Sequence, residues 1–556
     1  MAQRLPTILV TGASGFIGRN FLDAVKDDFR IYAVARRSEE SADIRPHPNI
    51  IWIQADISDW SMLKAITSNI KEQGGADFIL HLAGFYDFTY EDDPEYLNTN
   101  VNGTRHLLEL GKWLCVRRFV FASSLAACPF PEEGEYITED TPCFDEFPYS
   151  WSKRVGEEMC EQYSAWFPCT IVRFAAVFSD WGEYAPLYSF LRTWLSSRWD
   201  NRILGGKGQS SVPYIHVDDV CRMLVKIFRM SDRLPVFDTY HATPKGSTTH
   251  NELFRAANRY YRGRPRKPIH IPRLLAYPGM VIRELFGQLI GSRPFERLWM
   301  LRYVDLRLDA DNTHTREMLD WEPRPRLHIL RRLLFLVARM VSQPELWRLK
   351  NEAAMKRVSV RSSFLVYQVL DGRKEELLDQ FLAIVRNPAH ANLYPNYQGL
   401  SPEDLRRYTR TFYDLLLTAL RTEERTMILN YIEELVPHRA AASFDAAELK
   451  RYLSTLHDLM VSYAREDERL VEREEDIHLH ITMTLQLAKD HVEHLFEQIR
   501  EQSRGMVEEE VDEAEMREDL IGPMEDLERL LDQLNIFYRQ PDEDEEDSEG
   551  VAEVKS

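Results

Sequence analysis

The sequence predicts an α/β chain, a Rossmann-type doubly wound parallel sheet with a small substrate-binding subdomain, followed by an all-α helical bundle. Three observations carry this. Over the first ~340 residues, short β-branched runs alternate with longer amphipathic stretches: TILVTG, NFLDAVKD, RIYAVAR, MLKAITSNIKE and ADFILHLAG, the pattern of repeated βαβ units. A glycine-rich turn separates the first strand from the first helix. From about residue 345 strand signals give way to long helical periods.

A chain of 556 residues is too long for one ordinary core. The expected organisation is a dinucleotide-type domain over 1–345, with a cofactor part over about 1–175 and a substrate part over about 176–345. A linker over 346–362, a helical bundle over 363–538 and a disordered acidic tail over 539–556 follow. With 44% hydrophobic residues the chain can fill packed cores, and a formal charge of −20 argues against general nucleic-acid binding. The N-terminus lacks a charged segment leading into a long apolar core, and no apolar run reaches membrane-spanning length, so a cytoplasmic location is expected. Cys115, Cys128, Cys143, Cys160, Cys169 and Cys221 form no C-x-x-C pair and are expected to be reduced core residues.

The glycine turn reads Thr11-Gly12-Ala13-Ser14-Gly15-Phe16-Ile17-Gly18, directly after the apolar strand Ile8-Leu9-Val10. Glycines permit a tight turn and close backbone approach, which lets a pyrophosphate sit on the amides that open the next helix. The second strand ends in Ala35-Arg36-Arg37, where an acid would otherwise meet a free ribose 2′-hydroxyl. A guanidinium suits a 2′-phosphate. The expected cofactor is therefore NADP in preference to NAD, with Arg36 as the clamp.

Further along, FPYSWSKRVGEEM places Tyr149 and Lys153 one helical turn apart. Upstream, FVFASSLAA ends a predicted strand with Ser123 and Ser124, and HLAG and NTNVNGT lie between the glycine turn and the tyrosine. Taken with Asp56-Ile57, Arg173 in VRFAAVF and YIHVDDV at 214–220, this ordered set resembles the extended short-chain dehydrogenase/reductase family, NAD-dependent epimerase/dehydratase type, including its 3β-hydroxysteroid dehydrogenase-like members.

The resemblance runs from the first strand to TREMLDWEPRP near residue 325. It implies that Tyr149 is the general acid/base for a substrate hydroxyl, that Lys153 lowers the phenol's pKa and holds the nicotinamide ribose, and that Ser124 hydrogen-bonds the substrate oxygen. It further implies cofactor contacts from Gly12, Gly15, Phe16, Ile17 and Gly18 at the pyrophosphate, Asp56 and Ile57 at adenine, Leu82 and Ala83 along the cleft, and Asn100 framing the site. His216, Asp218 and Asp219 lack the further ligands a metal would need, and none is expected.

The implied activity is an NAD(P)-dependent epimerase, dehydratase or reductase acting on a hydroxyl or keto group of a small molecule. After FASSLAA stands Cys128-Pro129 where similar sugar-nucleotide epimerases have Tyr-Gly, and VFSDWG carries Ser179 where Gly is usual. Both weigh against nucleotide-sugar chemistry. The apolar and basic stretches YPGMVIRELFGQLIG and RRLLFLVARMV allow a hydrophobic substrate, peripheral membrane contact or plain helix packing.

In the second half, Ser401-Pro402 opens a helix whose Leu405, Tyr408, Phe412, Leu416 and Leu420 share a face. Leu449, Leu453, Leu456, Met460 and Tyr463 mark a second helix, and Ile477, Ile481, Leu485, Ala488, Val492, Leu495 and Ile499 a third. Such stripes imply a bundle, a homodimer seam or a protein partner. His478, His480, His491 and His494 are expected on solvated helix faces. The alternative to an enzyme is a dinucleotide-binding regulatory or scaffold protein that senses redox state and recruits partners through the bundle.

Overall fold

The computed structural model describes residues 4–508 apart from 40, 41, 43, 88–91, 274–276, 278–297, 356–361, 423, 424, 468, 471 and 472. The chain divides into two units, Met1–Arg361 and Ser362–Ser556.

The first unit is built on seven parallel strands. Six are β1 (Thr7–Thr11), β2 (Arg30–Ala35), β3 (Ile50–Gln54), β4 (Phe78–His81), β5 (Arg118–Ser124) and β6 (Cys169–Phe174); the seventh, Phe237–Ala242, lies at an edge. Their order is Phe237–Ala242, β6, β5, β4, β1, β2, β3. The chain runs outward from β1 to one side and returns through β4 to the other, which opens a crevice beyond the carboxyl ends of β1 and β4. Thr11 pairs with Val34 on one side and His81 on the other.

Strand alternation explains the layers. Ile8 and Val10 enter a core with Phe21, Leu22 and Val25 of helix α1 (Phe16–Val25), while Leu9 enters a core with Leu107 and Leu108 of α3 (Gly103–Leu114) on the opposite face. Helix α2 (Trp60–Glu72) and the longer α4 (Pro148–Tyr163) complete the second layer. A third core gathers Phe178, Leu191, Trp194, Phe254, Leu333 and Leu336 from the expected substrate part.

The expected linker begins later than residue 346, because Pro344–Met355 is helical. Trp347 joins that third core, and Asn351 donates to the Trp181 carbonyl at 2.7 Å while accepting from Glu183 N at 2.9 Å. A buried indole and a buried amide anchor this stretch to the first unit.

The second unit is helical, with its principal helices at Ser362–Asp371, Lys374–Val385, Pro402–Thr422, Thr426–Ala441, Ala446–Glu466 and Met483–Glu508. Ser401 accepts from Asp404 N at 3.0 Å, capping the helix opened by Pro402. Leu405, Phe412, Leu416 and Leu420 are buried, as are Leu449, Leu453, Leu456, Met460 and Tyr463, and Ile477, Ile481, Leu485, Ala488 and Val492. All these stripes meet in one core. Residues 509–538 of the expected bundle and the acidic tail lie outside the described residues, as does most of YPGMVIRELFGQLIG.

Candidate active site

The glycine turn has the shape its composition requires. Gly12 adopts φ +70°, and a Cβ there would lie 2.7 Å from the Ala83 amide nitrogen. On Gly18 a Cβ would lie 2.3 Å from the Gly12 carbonyl oxygen. The two glycines thus let the turn press against the end of β4 and let α1 press against the turn. Gly15 caps α1 without a side-chain hydrogen bond, and no acid occupies its first turn. The amides of Phe16, Ile17 and Gly18 have no partner within the helix. This cradle fits a pyrophosphate.

At the end of β4 the chain is held by a neutral histidine. His81 is fully buried, with Nδ1 2.7 Å from Thr11 Oγ1 and Nε2 3.0 Å from Thr104 Oγ1. Burial, reinforced by the charge of Lys153, pushes its pKa down to about 3. The ring therefore staples β1, β4 and α3 without carrying charge. Leu82 N donates to Thr11 O at 3.2 Å and Ala83 N to Thr11 Oγ1 at 3.3 Å, fixing the cleft wall.

Asn100 sits in a π-helical segment, Tyr96–Asn102, that runs into α3. Such segments shift side chains out of α register and recur at functional sites. Its amide accepts from Phe85 N at 2.6 Å, donates to Phe85 O at 2.9 Å, and donates to Ser152 Oγ at 3.0 Å. Asn100 therefore ties the segment after β4 to α4. Its place is structural, beside the site, and Gly84 lies between it and Lys153: a Cβ on Gly84 would come 3.5 Å from Asn100 Oδ1 and 3.4 Å from Lys153 Nζ.

Helix α4 carries the tyrosine and the lysine. Lys153 is buried, and its Nζ donates to Ala122 O at 2.7 Å. The ammonium lies 4.9 Å from the Phe121 ring centroid and 5.9 Å from that of Tyr149. Burial pushes its pKa down to about 8, partly opposed by the Glu157 carboxylate one turn on. Tyr149 is half-buried, its ring 4.4 Å from that of Tyr86 and 6.5 Å from that of Tyr96. Tyr96 donates to Asp87 Oδ1 at 3.0 Å, and burial followed by that carboxylate's charge raises its own pKa.

The two serines at the end of β5 point to opposite faces. Ser123 is buried and donates to Glu157 Oε1 at 2.5 Å. Arg173 holds both oxygens of the same carboxylate, at 3.0 and 2.7 Å, and donates to Thr141 O at 2.6 Å. This buried fork fixes β5, β6 and α4 to one another. Ser124 is half-buried, and its oxygen accepts from Ala126 N at 3.1 Å, which leaves its hydroxyl hydrogen for another acceptor.

The end of β2 holds an unexpected acid. Arg36 Nη1 lies 3.4 Å from Glu95 Oε2, and Thr99 Oγ1 donates to the same oxygen at 2.5 Å. Buried Asp56 accepts from Ser58 N and Oγ, while the Ile57 carbonyl lies 2.9 Å from His106 Nδ1. Glu95 escaped sequence reading because it arrives from a segment far from the β2 end. Glu157 was findable: it stands four residues after Lys153 on the same helical face.

Elsewhere, buried Asp219 accepts from Arg324 Nε at 2.6 Å and Arg324 N at 2.9 Å, while His216 Nδ1 accepts from Asp218 N at 3.2 Å. This H-x-D-D segment is engaged in tying 214–220 to 324. No group of three metal-ligand side chains occurs among the described residues. In the second unit His480 is buried, at odds with a solvated face, whereas His491 lies 3.1 Å from Glu433 Oε1. No helix among the described residues is long and apolar enough to cross a membrane.

Residues 8–242 match the model of the NAD dependent epimerase/dehydratase family. A UDP-glucuronate 4-epimerase from Thermodesulfobacterium geofontis is 23% identical over 333 residues, covering 57% of this chain and 90% of its own. A 3 beta-hydroxysteroid dehydrogenase/Delta 5-->4-isomerase from Mycobacterium tuberculosis is 31% identical over 159 residues, 28% of this chain and 42% of its own. The solved UDP-glucose 4-epimerase of Thermotoga maritima aligns with TM-score 0.47 and 21% identity, covering 61% of this chain and all of its own. Residues 8–242 of the first unit carry the NAD dependent epimerase/dehydratase family domain.

Proposed function

We propose that the first unit is an NAD(P)-dependent oxidoreductase or epimerase in which Ser124, Tyr149 and Lys153 act on a secondary hydroxyl or keto group of a small molecule. The observation that carries this is the buried Lys153 ammonium beside the Tyr149 ring. A nicotinamide bound along the cleft would supply the hydride acceptor or donor. Tyr149 would take the hydroxyl proton at its phenolic oxygen or return it. Lys153, with few competing partners in a buried setting, favours the phenolate by charge. Ser124 donates to the substrate oxygen and so orients it. The first-turn amides of Phe16, Ile17 and Gly18 would hold the pyrophosphate.

Arg36 would clamp a 2′-phosphate, giving a preference for NADP. Glu95 already engages that guanidinium and would repel the phosphate, so the preference is modest. For the substrate, relatives named for UDP-sugars and for a steroid alcohol supply two classes to test. A panel of UDP-glucose, UDP-glucuronate and a 3β-hydroxysteroid, each with NAD or NADP, separates them. Turnover that persists in Tyr149→Phe would overturn the assignment.

A further inference from the structure

The loop leaving β5 and the loop entering α4 are joined by a backbone hydrogen bond, Phe144 N to Ala127 O at 2.9 Å. One residue further on each side stand Cys128 and Cys143. Cys128 is extended and buried, and Cys143 is half-buried against the same core. Both are free thiols, placed side by side by that pairing of the two loops, and each acts on the other's charge, with Arg173 acting on both. The remaining cysteines differ. Cys160, Cys169 and Cys221 are buried; Cys115 is exposed, contrary to the expectation of a core residue, and its Sγ donates to the Lys112 carbonyl at 3.7 Å.

We propose that Cys128 and Cys143 form a reversible disulfide that controls the spacing of Ser124, at the end of β5, and Tyr149, at the start of α4. Cys128 lies four residues after Ser124, and Cys143 six before Tyr149. The control half of this proposal rests on the Ser124–Tyr149–Lys153 assignment; the linkage does not. A closed bond would fix the two Cβ atoms about 3.8 Å apart, and the hydrogen bond between Phe144 and Ala127 would pass that constraint to both loops.

With peroxide as oxidant, one sulfur of the pair attacks one peroxide oxygen as thiolate and expels hydroxide, becoming a sulfenic acid. The other thiol then attacks that sulfur, its proton leaving with the departing hydroxyl as water. Two thiols lose two electrons, and one peroxide is reduced to two waters once the hydroxide takes up the thiol's first proton. A dithiol reductant reverses the bond.

The test treats the full chain with hydrogen peroxide, alkylates remaining thiols and maps peptides by mass spectrometry, alongside hydrogen exchange over 120–128 and 147–153. The expected result is a Cys128–Cys143 linked peptide removed by dithiothreitol, altered exchange in both segments, and turnover lowered roughly tenfold to a hundredfold. Cys143→Ser, at the more exposed position, keeps its turnover under peroxide. A map showing oxidation at Cys115 without the linked peptide overturns the proposal. So does a linked peptide with unchanged exchange in both segments. If the reduced chain turns over nothing, the active-site assignment fails, and linkage with exchange alone decides this proposal.

Discussion

Lys153 places its ammonium 5.9 Å from the centre of the Tyr149 ring while donating to the Ala122 carbonyl at 2.7 Å. The cation, carried by α4, is thus anchored to β5 beside the Tyr149 ring, in a buried position where charge is costly. The role proposed for Lys153 accounts for a charge held at that cost.

Lys153→Met should separate stability from function. Burial lowers the folded pKa from 10.5 to about 8. Below pH 8 both folded and unfolded chains carry the charge, and the folded state bears the full penalty, about 3 kcal/mol from the shift. Between pH 8 and 10.5 the folded state sheds the proton first, so the penalty fades as pH rises. Chemical denaturation at pH 7 should show the methionine variant no less stable than the parent, with that advantage shrinking towards pH 10.5. Its turnover should fall roughly a hundredfold.

His81 predicts acid sensitivity. Its folded pKa of about 3 lies below the ordinary 6.5, so only the unfolded chain takes up this proton as pH falls from 6.5. Stability is full above pH 6.5 and is lost towards pH 3, by about 1.4 kcal/mol per pH unit from this one site. Denaturation curves of His81→Asn between pH 6.5 and 4.5 should have a slope shallower by about that amount.

Gly18→Ala should abolish nicotinamide binding. The new Cβ would meet the Gly12 carbonyl oxygen at 2.3 Å, backbone against backbone, and only movement of the turn relieves it. Calorimetric titration with NADPH and NADH should show at least a tenfold loss for both, while circular dichroism keeps the parent's helix content.

The Arg36–Glu95 pair predicts two opposite shifts in cofactor choice. Arg36→Ala should weaken NADP relative to NAD by roughly tenfold, and Glu95→Gln should strengthen it by releasing the guanidinium. Titration of each variant with both cofactors measures the ratio.

The sheet and the glycine turn were legible because local rules and tertiary packing agree there: apolar runs make buried strands, and the turn needs glycine at Gly12 and Gly18. The bundle stripes were legible for the same reason. Three features were not. The helix over Pro344–Met355 looked like linker because its anchors, Trp347 and Asn351, are single residues whose partners lie far away in sequence. Glu95 reaches Arg36 from a remote segment, and Cys143 meets Cys128 only through the pairing of two loops. Side-chain encounters across such distances leave no periodicity to read.

The most direct measurement is absorbance at 340 nm in a single turnover of the full chain with bound oxidised cofactor and an active substrate from the panel, beside Tyr149→Phe. The account predicts that the variant binds cofactor with unchanged affinity and loses the absorbance change by roughly a hundredfold or more in rate. Equal rates in the two proteins would contradict it.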